Sequence, residues 1–143
     1  HEEIFPKIKE KYIKTGKVKF IYRDFPLDKQ ALFAAILAKC APKEKYFDYV
    51  KLIYQTQDKW ISHGVEDEFM NKLKKIGKMA GLDQKDMETC FKNEQLVDEI
   101  INIRSNAEKK YGIDSTPSFI INEKKYGSLN FQGFEKVLDK IIN

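Results

Sequence analysis

The sequence predicts an α/β fold, because strand-like segments stand at both ends of a long helical block. Residues 17–24 alternate between apolar and polar side chains, as a half-buried strand does, and residues 118–122 form a second, apolar run. Between them, residues 28–111 carry apolar positions at helical spacing, interrupted by Pro and Gly. We expect the two strands to lie side by side in one sheet and the helical block to form a separate lobe.

The N-terminal segment predicts a helix that leads into the first of these strands. Apolar residues recur at helical spacing from Glu2 to Lys14, and the pattern ends at Thr15 and Gly16. Glycine there can take the positive φ of a helix C-cap. Pro6 belongs in a first turn or at a kink, because proline removes a helical hydrogen bond. Since the sequence enters this pattern without an initiator Met, we expect it to begin inside a longer protein, although processing at a signal site or loss of disordered residues would give the same start.

The helical block divides into segments with recognisable start and stop signals. Asp28 and Asp83 can cap helices with their carboxylates, Pro42 suits a first turn, and Gly81 and Gly112 suit helix ends. The predicted helices cover residues 29–39, 42–57, 65–79, 84–91 and 96–111.

The C-terminal segment predicts a hairpin and a closing helix. Residues 118–122 form the first strand, residues 123–124 the turn and residues 125–126 a short return strand. Residues 130–142 carry apolar side chains on one face of an amphipathic helix.

Length, composition and charge exclude several classes of protein. With 143 residues, 42% hydrophobic and 34% charged, the chain can bury one core, so disorder is a poor interpretation. No apolar run approaches the roughly 20 residues that a membrane-spanning helix needs. The net charge of +4 comes from charges interleaved along the predicted helices, which indicates a solvated surface rather than a nucleic-acid interface. Trp60 and the apolar stripe of residues 46–54 fit either the core of the helical block or a peptide-binding cleft, and we favour the core.

The residues around Pro117 form the most specific stretch, because a proline stands immediately before an apolar strand. Only X-Pro bonds adopt the cis form at useful frequency, and a cis bond here would turn a backbone edge outward, where an extended peptide can pair. A trans Pro117 that merely begins the strand fits the residues equally well.

In combination these segments resemble the thioredoxin superfamily, specifically its DsbA-like branch, in which a helical domain is inserted before the cis-Pro hairpin. Residues 1–8 resemble the part of the first helix that follows the family's Cys-Pro-His-Cys motif. Residues 17–27 resemble the second strand, and residues 111–119 resemble the cis-Pro loop. The resemblance implies a thioredoxin-like fold with residues 1–27 and 112–143 in a partial thioredoxin-like domain and residues 28–111 in the inserted helical domain.

The resemblance also implies where the chemistry lies. In the family, a Cys-x-x-Cys at the head of the first helix supplies a thiolate, made more acidic by the helix N-terminus, for exchange with disulfides. The sequence holds no such pair, so we expect the dithiol upstream of His1, no catalytic residue in this chain, and no activity of the chain alone. The resemblance further implies a cis Thr116–Pro117 bond and substrate binding by Ser115, Thr116 and Pro117, with the Thr116 backbone holding the peptide.

Cys40 and Cys90 stand far apart in the sequence and allow two interpretations. They are two buried thiols, since cysteine is among the most often buried residues, or a structural bridge within the helical domain. The resemblance favours the bridge, which some DsbA-like proteins carry. His1 and His63 match no zinc spacing with these cysteines, so we expect no metal, and we expect no cofactor.

The implied function is oxidation, or isomerisation, of cysteine pairs in exported proteins, in the periplasm or another extracytoplasmic compartment. The implied partners are cysteine-containing exported clients and a membrane redox partner that reoxidises the dithiol, without nucleic acid. A peptide-binding or chaperone-like module without redox turnover remains an alternative, because fold does not settle function. Cytosolic glutathione-transferase kin fit less well, since nothing supplies a glutathione-activating residue near a first strand. A Cys-x-x-Cys encoded just before His1 would favour the enzyme, and its absence the binding module.

Overall fold

The computed structural model describes residues 3–64 and 68–143, and the contacts divide the chain into two compact units. The first unit comprises His1–Arg23 and Asn106–Asn143, and the second comprises Asp24–Ser105. The second unit is therefore inserted into the first.

The regular elements alternate from helical to extended and back to helical along the chain. Among the described residues no helix is both long and apolar enough to cross a bilayer. The elements are α1 (Phe5–Ile8), continued by a π-helical turn (Lys9–Ile13), α2 (Lys29–Cys40), a 3-10 turn (Lys43–Lys45), α3 (Tyr46–Gln55), α4 (Gln57–Trp60), α5 (Glu68–Met79), α6 (Gln84–Phe91), α7 (Glu94–Tyr111), β1 (Phe119–Ile121), β2 (Lys124–Tyr126) and α8 (Phe131–Ile142).

The second unit is organised around α2, which contacts α3, α5 and α6. Leu37 of α2, Leu73 of α5 and Met87 of α6 are fully buried. Gly77 allows α5 to approach this core closely, because a Cβ at that position would collide with the Sδ atom of Met87. The insertion is thus held by close apolar packing.

The aromatic residues of the second unit divide between core and surface. Trp60 is buried, and its indole Nε1 donates a hydrogen bond to the carbonyl oxygen of Ile53 at 2.9 Å, so the core interpretation of Trp60 is confirmed. Along α3, Tyr49 is buried as expected. Phe47 and Tyr54 are about half exposed, at 51% and 49%, so treating the whole stripe as core was wrong for these two residues.

The first unit packs α1 and its π-helical turn against α8. Ile8, Tyr12, Phe134 and Leu138 are buried together in one apolar cluster. Phe119 of β1 meets Phe134 edge-on, with the ring centroids 4.7 Å apart, in a geometry that aromatic pairs favour. The hairpin and the terminal helix therefore share one small core.

The hairpin closes through a tight two-residue turn. Asn122 and Glu123 both have positive φ, 47° and 65°, as the central residues of a type I′ hairpin turn require. Lys124 therefore belongs to β2, and the turn predicted at residues 123–124 lies one residue too late. In the antiparallel register Ile120 stands opposite Lys125.

Residues 17–24 do not form the predicted strand. Burial alternates along them, with Val18, Phe20 and Tyr22 half-buried. However, the sheet of the described residues consists of β1 and β2 alone, so the predicted pairing with residues 118–122 is wrong. Alternation decides which side chains face inward, whereas a strand also needs a neighbouring backbone for its polar groups. No described segment supplies that neighbour.

The helix predicted over residues 42–57 is interrupted as well. A 3-10 turn precedes α3, and the chain leaves the helix at Thr56, whose hydroxyl donates to the carbonyl oxygen of Leu52 at 2.8 Å. Such back-bonding from a threonine bends helices. The predicted start at Val65 lies outside the described residues, and α5 is described from Glu68. Pro6 lies in the first turn of α1.

Candidate functional site

The segment between α7 and β1, residues 112–118, is the candidate site and is called the Pro117 loop below. Gly112 ends α7 with φ at +61°, and its N–H donates to the carbonyl oxygen of Glu108 at 2.9 Å. Ile113 is buried and anchors the start of the loop. Residues 114–117 are exposed, and the Thr116–Pro117 peptide bond is cis, as the resemblance implied. The fold therefore presents Thr116 and Pro117 to solvent.

A set of polar bonds holds the Pro117 loop to the hairpin and to itself. The ammonium of Lys125, on β2, donates to the carbonyl oxygen of Gly112 and lies 3.4 Å from the Oδ1 atom of Asp114. The hydroxyl of Ser115 donates to the same Oδ1 atom at 3.1 Å. The hydroxyl of Ser118 donates to the carbonyl oxygen of Ser115 at 2.7 Å. The residues before and after Pro117 are thus tied together.

The carboxylates beside the loop stay ionised at neutral pH. The hydroxyl of Ser115, and after it the ammonium of Lys125, lower the pKa of Asp114. The ammonium of Lys110 and the hydroxyl of Tyr111 lower the pKa of Glu123 in the hairpin turn. Each carboxylate is paired with a lysine, at 3.4 Å and 3.0 Å respectively. The site is therefore locally balanced in charge.

The backbone directly before β1 is exposed, whereas β1 itself is half-buried. β1 pairs with β2, and no other described strand is bonded to it. An exposed extended backbone offers N–H and C=O groups to another extended chain. Thr116 lies in this exposed segment, so its backbone can offer such groups.

Cys40 and Cys90 form a disulfide within the second unit, with their Cα atoms 5.9 Å apart, as a bridge requires. Cys40 is the last residue of α2, and Cys90 lies in the last turn of α6. A thiolate is stabilised at a helix N-terminus, not at a C-terminus. No free cysteine occurs in the part of the chain that the structure describes.

A buried acidic group lies elsewhere, in the second unit. Asp24 is 6% exposed, and its carboxylate lies 3.9 Å from the ammonium of Lys39. Burial raises the pKa of Asp24, while Lys39 and a hydrogen bond from Tyr46 oppose that rise.

The structure brings together Ser115, Thr116 and Pro117 on one exposed loop, and their role in substrate binding stays a prediction. Sequence reasoning missed Lys125, because nothing in an isolated lysine tells which carbonyl oxygen it will reach. Within residues 3–64 and 68–143 no group of three or more His, Cys, Asp or Glu side chains is placed to hold a metal ion.

Comparisons with known proteins agree with this architecture. A family model described as "Thioredoxin" matches residues 1–140. A protein of Rickettsia felis that carries the name protein-disulfide oxidoreductase is 32% identical over 99% of this chain and 50% of its own length, so the chain spans about half of the curated relatives it matches.

Solved structures of similar fold agree with these sequence comparisons. Wolbachia pipientis alpha-DsbA1 is 35% identical, with a TM-score of 0.84 over 99% of this chain and 77% of the matched chain. A protein-disulfide isomerase from Novosphingobium aromaticivorans is 18% identical, with a TM-score of 0.71 over 96% of this chain and 81% of the matched chain, and its likeness concerns the fold.

Proposed function

The chain belongs to the DsbA-like branch of the thioredoxin superfamily, a family of thiol-disulfide oxidoreductases, and from this premise we propose its function. We propose that it supplies the substrate-binding loop of an extracytoplasmic enzyme that oxidises, or isomerises, cysteine pairs of exported proteins. The clients are extended segments of those proteins, and a membrane redox partner reoxidises the enzyme.

The observation that carries the proposal is the exposure of the Pro117 loop at residues 114–117. An extended peptide can pair with an exposed backbone segment through hydrogen bonds that do not depend on the sequence of the client. We propose that Thr116 makes that pairing, with Ser115 and Pro117 on either side. A substrate range defined by backbone contacts suits an enzyme that acts on many clients.

The chemistry that the family performs is thiol-disulfide exchange. A client thiolate attacks the enzyme disulfide and forms a mixed disulfide, which the second client thiolate then resolves. Two electrons and two protons pass from the client's cysteine pair to the enzyme's disulfide, which becomes a dithiol. The residues of this chain hold the client while a sulfur pair performs the exchange.

That sulfur pair is proposed to lie outside this chain, upstream of His1. Cys40 and Cys90 are bonded to each other at the C-terminal ends of their helices, where a thiolate gains no stabilisation from the helix. They are proposed to be structural, and the chain alone is proposed to be inactive in redox turnover.

The test compares this chain with the same chain extended by the residues that its gene encodes before His1. We expect the chain alone to reduce insulin and to oxidise a dithiol peptide no faster than background. The extended protein should do both, and replacing the first cysteine of its Cys-x-x-Cys with serine should abolish both activities. Equal activity of the two proteins would contradict this placement of the chemistry.

A second function, peptide binding without redox turnover, is favoured by one specific observation: the only described cysteines are already bonded to each other. The same comparison separates the two functions. An extended protein that binds extended peptides but has no exchange activity, because no Cys-x-x-Cys precedes His1, would support the binding module.

A further inference from the structure

Lys125 bridges two parts of the Pro117 loop region that are distant in sequence. It belongs to β2, where it stands opposite Ile120, yet its ammonium reaches back to the carbonyl oxygen of Gly112 and to the carboxylate of Asp114. Gly112 and Asp114 come before Pro117, and β2 comes after it. A single side chain therefore fixes the segment that leads into Thr116 relative to the strand edge that follows.

The neighbouring lysine makes no such bridge. The ammonium of Lys124 lies 5.7 Å from the ring centroid of Tyr126, on the same strand. Because side chains alternate along a strand, Lys124 and Lys125 point to opposite faces of the hairpin. A variant of Lys124 therefore removes the same positive charge as a variant of Lys125 but leaves the contact with the loop intact.

We propose that Lys125 is a positioning residue, which holds the exposed backbone of Thr116 in place for pairing with a client peptide. The inference rests on the proposed substrate-binding role of the loop and not on the redox step. Lys125 itself touches neither client nor sulfur. It acts through the carbonyl oxygen of Gly112, which limits how far the loop can swing, and through Asp114, whose charge it balances.

The first measurement is amide hydrogen exchange of Gly112 and Ile113 in this chain, whose N–H groups donate to the carbonyl oxygens of Glu108 and Ala107. Lys125 holds the carbonyl oxygen of Gly112, so Lys125→Met should accelerate exchange at these two amides by about fivefold. Lys124→Met is the matched control and should leave exchange unchanged. Lys125→Arg retains the charge and the donors and should restore most of the protection.

The second measurement is the affinity of this chain for a short, extended, cysteine-free peptide. Lys125→Met should weaken binding by about fivefold, Lys124→Met should not, and Lys125→Arg should recover most of the affinity. Asp114→Asn should have a smaller effect than Lys125→Met, because the bond to Gly112 remains. In the extended, redox-active protein the same loss should appear as a raised KM with kcat unchanged.

Three results would overturn the inference. Equal exchange in Lys125→Met and Lys124→Met would show that Lys125 does not order the loop, and faster exchange with unchanged peptide affinity would make its role merely structural. A wild-type chain that binds no peptide would overturn the inference together with the substrate-binding loop. An extended protein without redox activity, by contrast, would refute the proposed enzyme while leaving a positive binding result intact.

Discussion

The second unit and the Pro117 loop are held together by different forces. In the second unit Leu37, Leu73 and Met87 are fully buried, and a disulfide closes the packing of α2 on α6. The Pro117 loop has only Ile113 buried, leaves residues 114–117 exposed and relies on hydrogen bonds of Lys125 and the serines. Apolar packing gives large stability with little selectivity, whereas exposed polar bonds give a defined surface with little stability.

This difference indicates a division of labour within the chain. Stability is expected to reside in residues that do not contact a client, and recognition in residues that contribute little to unfolding. Variants in the second unit should therefore change the free energy of unfolding and leave the order of the loop intact. Variants in the loop region should do the reverse.

The largest effect is expected from the disulfide. Removing both thiols in a Cys40→Ala/Cys90→Ala variant frees a loop of 50 residues in the unfolded chain, which should lower the free energy of unfolding by about 4 kcal/mol. Urea unfolding measures it, and the reduced wild-type chain is the control. A loss below about 1 kcal/mol would show that the bridge does not restrict the unfolded chain as expected.

The next effect comes from the apolar core. Leu37→Ala removes a side chain that is 0% exposed and should cost about 3 kcal/mol, since the surrounding helices collapse only partly into the space. Ile101→Ala is the matched control, because Ile101 is 47% exposed and its truncation should stay within about 0.5 kcal/mol. Similar losses for the two variants would contradict a packing-dominated second unit.

A smaller effect is expected where the first unit combines packing with one hydrogen bond. Tyr12 is 1% exposed, and its hydroxyl donates to the carboxylate of Asp139 at 2.7 Å. Tyr12→Phe keeps the ring and should cost about 1 kcal/mol. Tyr111→Phe removes a similar but exposed bond to Glu123 and should cost less than Tyr12→Phe. A larger loss of stability in Tyr111→Phe than in Tyr12→Phe would mean that burial does not strengthen the hydrogen bond.

The smallest effect is a dependence on pH that Asp24 introduces into the second unit. Burial raises the pKa of Asp24 in the folded chain above the ordinary value of 3.8, so the folded state keeps the proton to a higher pH than the unfolded state does. The contribution of Asp24 to stability is therefore fully present below pH 3.8 and is lost as the pH rises through the folded-state pKa. Asp24→Asn should remove this decline, which urea unfolding at several pH values measures. If the free energy of unfolding of Asp24→Asn depended on pH as that of the wild-type chain does, other groups would be the cause of the decline.

Local chemistry predicted much of this fold, because capping is decided within a few residues. Asp28, Asp83 and Asn130 each accept a backbone N–H two or three residues onward, as N-caps do, and α2, α6 and α8 begin there. The strand expected at residues 17–24 failed for the opposite reason, since pairing depends on a distant backbone that alternation does not reveal.

The candidate site divides in the same way. The Pro117 loop could be predicted because Gly112 can adopt the positive φ that ends α7, because Pro117 restricts its own backbone, and because the resemblance gave both residues a context. Lys125 could not, because its bond to Gly112 spans 13 residues and depends on the register of the hairpin. The turn at Asn122 and Glu123 sets that register, and the sequence placed it one residue too late.

The most direct test of the central claim, that the Pro117 loop binds extended peptides through its backbone, is a chemical-shift titration of this chain. An extended, cysteine-free peptide should shift the backbone amide signals of residues 114–118, apart from Pro117, which has no N–H. A matched peptide whose backbone amides are methylated should cause no shift, because it cannot pair with the backbone of the loop. Shifts confined to the helices of the second unit, or equal shifts with the methylated peptide, would contradict the claim.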